Sequence, residues 1–169
     1  MALPKLNTAQ YELKVPSTGK TIEYRPFLVK EEKILLMALE GEEEKEMAKA
    51  IKQILSQCVL TENFKIDNLA LVDIEYIFLK VRGKAVGDKS KIYIVCTECE
   101  NKVEIELDLE EIKIDTHKDH TDLIKLTDDI QVRMVPPKME YLMATVSKNQ
   151  IDIVMDVIRD SISEIIQGK

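Results

Sequence analysis

Hydrophobic residues change their period three times along this chain, and that alternation constrains the fold more than any other feature. Tyr11-Glu-Leu-Lys-Val15 and Thr21-Ile-Glu-Tyr-Arg25 alternate with period two, the signature of half-buried strands. Between them lies Pro16-Ser-Thr-Gly19, where proline presets φ and glycine accepts a positive φ. An N-terminal β-hairpin with a loop of four or five residues follows, and Pro26 ends it, since proline donates nothing to a ladder. The period then becomes three-and-four. Ile34, Leu35, Ala38 and Leu39 form one face before Gly41. Met47, Ala50, Ile51, Ile54, Leu55 and Cys58 form a second, and Ala70, Ile74, Ile77, Phe78 and Val81 a third. Three short helices packed as antiparallel neighbours are predicted.

Period two returns at Ile92-Tyr-Ile-Val95 and at Val103, Ile105 and Leu107, with Cys96-Thr-Glu-Cys99 at the tip of this second hairpin. A loop carrying His117 and His120 leads to Ile130, Val132 and Met134, and Pro136-Pro137 stops that strand. The last third reads as helix. Met139, Leu142, Met143 and Val146 make a short one. Ser147-Lys-Asn-Gln150 matches a capping box that opens an amphipathic helix through Ile151, Val154, Val157, Ile158, Ile162 and Ile165, closed by Gly168. The class is therefore α+β. The expected parts are 1–88, hairpin plus helices; 89–136, a β-rich insertion bearing the CxxC; and 137–169, C-terminal helices packing back on the first part.

Composition excludes more than it assigns. With 169 residues, 45% hydrophobic and 33% charged, the chain is long enough and apolar enough to bury a core without disulfides. Trp is absent, so the core is expected from Ile, Leu, Val and Met. The net charge is −7 and no basic run occurs, which argues against nucleic acid or an anionic membrane as partner. Met1 to Gln10 lack the basic and apolar stretches of a signal peptide, and no apolar run approaches the ~20 residues of a membrane span. Three Cys, an odd count, fit a reducing cytosol rather than a disulfide scaffold.

Few motifs point to chemistry. Gly19-Lys20-Thr21 looks like the end of a phosphate loop, but position 14 is Lys and a strand follows, so a turn is the better reading. No nucleophile stands beside a base, and Glu31-Glu32 and Glu110-Glu111 read as solvated pairs. The acids Glu42 to Glu46 suit the positive end of a helix dipole. Cys58 sits on an apolar helical face and reads as core. Cys96 and Cys99 can present two thiolates to one metal, and His117 and His120 are the candidates for the other two ligands. A purely structural knuckle and a redox pair are the alternatives, the latter disfavoured because a strand rather than a helix follows. The cofactor expectation is thus none, or one structural zinc. Arg25-Pro26-Phe27 joins hairpin to helix, where Phe27 is expected to plug the junction and Arg25 beside it could instead anchor an interface.

Read in order, Pro16-Ser-Thr-Gly-Lys20, Arg25-Pro-Phe-Leu-Val-Lys-Glu-Glu-Lys-Ile-Leu-Leu-Met-Ala-Leu39 and Asp73-Ile-Glu-Tyr-Ile-Phe-Leu-Lys-Val-Arg82 resemble the baseplate hub assembly proteins of T-even-like contractile-tailed bacteriophages. The resemblance covers nearly the whole chain, and its most specific part is the stretch from Arg25 to Leu39. It departs at Val132-Arg-Met-Val-Pro-Pro137, where a "MKYP"-like run is expected, so partner contacts there should differ. Members also continue with more helical sequence past Gly168-Lys169, so by this resemblance the sequence is expected to be a truncated or shorter version. The resemblance implies binding of other baseplate hub or tail proteins in the host cytoplasm during assembly, with retention in the virion baseplate left open, and no catalytic residues. Arg25, Phe27, Glu31, Glu32 and Arg82 are the partner-binding candidates. A small zinc-binding adaptor or regulatory domain is the competing expectation.

Overall fold

The computed structural model describes residues 8–41, 43–115, 117–139 and 149–168. The short helix expected over Met139 to Val146 lies outside these residues apart from Met139 itself, as do Ser147 of the expected capping box and Glu42.

Strands β1 (Tyr11–Lys14) and β2 (Thr21–Tyr24) pair antiparallel with Tyr11 opposite Tyr24 and Lys14 opposite Thr21. The connecting loop is one residue longer than the upper expectation and turns at Gly19, whose φ of 67° suits a residue without Cβ. Gly19-Lys20-Thr21 thus leads from a turn into a strand, which is not a phosphate loop. The chain then forms α1 (Val29–Glu40), α2 (Glu44–Cys58) and α3 (Leu71–Val86), with α2 packed against both of the others. The hairpin lies on the helices. Leu60 N donates to Glu23 O at 2.8 Å and Arg25 N to Cys58 O at 2.9 Å, so the segment leaving α2 pairs antiparallel with the end of β2.

The core sits between this hairpin and the helices. Val15, Ile22, Ile54, Leu55, Cys58, Ile74, Ile77 and Val81 are its fully buried members, and Met139 belongs to it as well. Each such aliphatic side chain contributes about 1.5–3 kcal/mol when withdrawn from water. The predicted inward faces of α2 and α3 are the buried ones. On α1 only Ile34 and Leu35 lean on the core, half-buried, and Leu39 is exposed.

From the end of α3 a second hairpin, β3 (Lys89–Val95) and β4 (Lys102–Asp108), extends as a two-stranded sheet of its own. Its root is tied down. Leu109 is buried, its N–H donates to Asp88 O at 2.7 Å, and Lys80 Nζ donates to the carbonyls of Leu109 and Glu110. The remaining sheet has the order β5 (Leu123–Lys125), β6 (Ile130–Met134), β7 (Ile162–Gln167), all antiparallel.

Strand β7 corrects the sequence reading, which carried the last helix through Ile165. Helix α4 spans Gln150–Ser161 and stops there. The Ser161 carbonyl accepts from Val135 N at 2.8 Å, and Ile162 to Gln167 turn to pair with β6. Three β-branched isoleucines in six residues favour the pleated conformation once a free strand edge is offered. The N-cap also differs from expectation. Asn149 caps α4, its side-chain oxygen accepting from Asp152 N at 2.9 Å.

Candidate functional site

The junction of hairpin and α1 is built around Glu31, the third residue of that helix. Its carboxylate is fully buried. One oxygen accepts from Arg25 Nη2 and the other from Leu28 N, at 2.9 and 2.8 Å. The second bond satisfies a backbone donor that the helix start would otherwise leave free. Arg25 also donates to the Pro26 carbonyl at 2.9 Å. Burial pushes the Glu31 carboxyl up, but the bonds from Arg25, Leu28 and Lys30 outweigh it and hold the group below its ordinary value. Phe27 is buried in the core. Of the five partner-binding candidates, Phe27, Glu31 and most of Arg25 are therefore spent inside the fold. Glu32 is exposed, and Arg82 is half-buried with no ion-pair partner among the described residues.

The tip of the second hairpin carries Cys96 and Cys99 on one turn. The ladder continues past Val95 and Lys102: Cys96 N donates to Asn101 O and Glu100 N to Cys96 O, both at 3.0 Å. Glu100 takes a φ of 55°, closing the turn in the left-handed region. The backbone N–H of Cys99, then that of Glu98, then the Cys99 thiol, all directed at the Cys96 sulfur, pull that thiol below its ordinary pKa. Cys96 is half-buried and Cys99 exposed. His117 and His120 lie in a separate turn, where His120 N donates to the His117 carbonyl and the His117 ring is solvent-exposed. Among the described residues no three His, Cys, Asp or Glu side chains gather into a group able to hold a metal ion, so neither histidine joins the cysteine pair.

The third feature is the face of α4. Ile151, Val154, Met155 and Ile158 follow the i, i+3, i+4, i+7 spacing of a single stripe, and they are 76, 55, 61 and 47% exposed. The sequence marked this helix as amphipathic but gave no sign that its apolar side faces solvent. Leu36, Met37 and Leu39 of α1 are exposed as well. Scattered apolar residues on a surface need no explanation, whereas a contiguous stripe marks an interaction site. Among the described residues no helix is long and apolar enough to cross a membrane.

Buried Glu31 is thus engaged in joining the elements, and α4 is one of the places where accessible apolar side chains line up on a single face. That combination defines an α+β protein whose surface is suited to association. The model of the family described as "T4 bacteriophage base plate protein" matches residues 8–169, and the chain belongs to that family. Membership makes it a phage baseplate protein and implies association with other baseplate proteins. No curated protein and no solved structure matches the chain.

Proposed function

We propose that this protein acts in assembly of the baseplate hub, as a chaperone or as a component, by binding other hub or tail proteins in the infected cell. The observation that carries the reading is the exposed stripe of Ile151, Val154, Met155 and Ile158 on α4. A helix presenting anchors at this spacing suits the helix-in-groove mode of recognition, in which the partner's groove removes the stripe from water. Withdrawing each anchor contributes about 1.5–3 kcal/mol before the costs of association. Family membership supports the class of partner.

The role is binding rather than catalysis. Cys58 is withdrawn into the core and burial pushes its thiol up to about 11, which leaves it a poor nucleophile at neutral pH. The exposed ion pairs, such as Lys91 with Glu104 and Lys125 with Asp128, are satisfied surface pairs.

Co-expression with candidate hub proteins, followed by size-exclusion chromatography, tests the proposal. Co-migration with at least one hub protein is expected, and it should be lost when Val154 and Ile158 are both replaced by Lys. Elution of the chain alone in every combination would overturn it.

A further inference from the structure

The Cys96–Cys99 tip has the local geometry of a metal half-site. Cys96 and Cys99 stand three residues apart on one tight turn, the spacing with which two thiolates converge on a single ion. The turn is closed by two main-chain hydrogen bonds and by Glu100 in the left-handed region, so the backbone that carries the two cysteines is held in one conformation. Thiolate ligands select soft or borderline ions, and zinc with sulfur ligands takes four of them in a tetrahedron. This chain supplies two, and no third ligand joins them among the described residues.

The rest of the arm indicates where the other two come from. Directly opposed residues of an antiparallel pair share a face. One face of the arm is polar. It carries Lys89, Lys91 and Tyr93 opposite Asp108, Glu106 and Glu104, laced by Lys89–Glu106 and Lys91–Glu104 bonds of 2.6 Å and by Tyr93 Oη donating to Glu104, with Val95, opposite Lys102, as its one apolar side chain of β3. The other face is apolar, with Ile92 opposite Ile105, Ile94 opposite Val103, and Leu107 at its root. Four of these five are exposed and Ile105 is half-buried. A two-stranded ribbon is marginal in water by itself, so an uncovered apolar face on it calls for a partner. Alternation along β3 continues this face from Ile92 and Ile94 to Cys96, because the ladder runs through the Cys96–Asn101 pair.

We propose that two copies of this chain stack the apolar faces of their β3–β4 arms about a two-fold axis and bind one zinc ion between the tips, with Cys96 and Cys99 of each copy as the four ligands. A two-fold axis makes a patch its own complement, and it converts two two-ligand halves into one closed tetrahedral site. Each thiol gives up its proton to solvent on binding, and no electron is transferred. The inference is independent of which baseplate protein the chain meets.

The full chain is reduced, stripped with chelator and titrated with zinc alone. Metal content and molar mass are then read together by elemental analysis and by light scattering on a sizing column. One ion per two chains is expected, with the mass rising from one chain to two. Cobalt in place of zinc should show the visible absorption of a tetrahedral all-thiolate site. Cys96→Ser and Cys99→Ser should each abolish metal retention and the rise in mass. Ile94→Lys should weaken the zinc-dependent dimer at least tenfold, and the double variant His117→Ala/His120→Ala should leave the stoichiometry unchanged. No retained metal would overturn the proposal. One ion per chain on a monomer would also overturn it, because the ligand set would then close within a single chain. So would a dimer that forms equally without zinc and with Cys96→Ser.

Discussion

The guanidinium of Arg25 stands 2.9 Å from the carboxylate of Glu31, which is wholly buried. The pair joins the exit of the first hairpin to the first turn of α1, and the same carboxylate accepts from Leu28 N. Removing one member of a buried pair leaves the other charge uncompensated, at a cost of about 3–5 kcal/mol. Glu31→Gln preserves shape and one acceptor oxygen, so a loss of about 3 kcal/mol in chemical denaturation is expected. The pH dependence has a definite sign. The folded carboxyl lies below its ordinary value of 4.5, because the bonds from Arg25, Leu28 and Lys30 outweigh burial. Its contribution is therefore fully present above about pH 4.5 and is lost as pH falls through the lower folded-state value. Denaturation midpoints for Glu31→Gln should fall less between pH 6 and 3 than those of the unaltered chain. Parallel midpoint curves would contradict this.

A second polar clamp joins parts of the chain far apart in sequence. Asp73, wholly buried at the start of α3, accepts from Ser17 N at 2.9 Å and also from Ser17 Oγ. Leaving a buried hydrogen-bonding group without its partner costs about 1–3 kcal/mol. Asp73→Ala should cost about 2–3 kcal/mol, and Ser17→Ala about half of that, since the backbone bond survives. Amide exchange at Ser17 provides the local readout. It should accelerate in Asp73→Ala well beyond what the loss of global stability explains. An unchanged Ser17 rate would show that the turn is held by other contacts.

These two clamps also mark where sequence reading stops. The first hairpin, α2, α3 and the CxxC arm were legible because a local period and local turn chemistry determine them. By sequence alone Glu31 looks like half of a solvated acid pair. The signal that would have found its role is Glu at the third helical position, within reach of the capping amide, with Arg25 six residues earlier. Nothing local marks the Asp73–Ser17 contact, which exists only once the hairpin lies on α3. The missed strand β7 has the same origin. Ile162 and Ile165 continue the helical stripe of α4, while Ile162 to Gln167 also suit a strand. The free edge of β6, more than thirty residues away through Ile130 opposite Gln167, decides between them. The three-residue strand β5 was too short to show a period. The candidate site was half legible. The amphipathic stripe of α4 was evident, but whether it faced core or solvent depends on packing that sequence alone does not display.

The three cysteines should separate cleanly by reactivity. Burial pushes the Cys58 thiol up to about 11, with nearby Arg25 opposing that only in part. Thiolate is the reacting species, so Cys58 is protected both by access and by protonation. After chelator treatment, a thiol reagent at pH 7.5 should modify two residues rapidly in the native protein and all three in denaturant. Cys96→Ser and Cys99→Ser should each lower the rapid count by one, and Cys58→Ala should leave it unchanged. Three rapid thiols in the folded protein would show that the core around Leu55 and Cys58 opens on the timescale of the reaction.

The α4 stripe makes the sharpest division between stability and association. Substitutions at exposed positions usually change stability by less than about 0.5 kcal/mol. For a domain of this size that is roughly 1–2 °C in Tm. The double variant Val154→Lys/Ile158→Lys keeps the Asn149 cap and the Ser161–Val135 hydrogen bond, so α4 and its junction with β7 should persist. Binding responds differently. Two anchors that each supply about 1.5–3 kcal/mol on burial are replaced by charges that a groove must desolvate, so affinity for a hub partner should fall by a factor of about 100 or more. Calorimetric Tm and a binding isotherm measured on the same preparation decide the matter. An unchanged Tm with binding lost places the interface on α4, and a Tm lowered by 5 °C or more would instead assign the stripe to the fold.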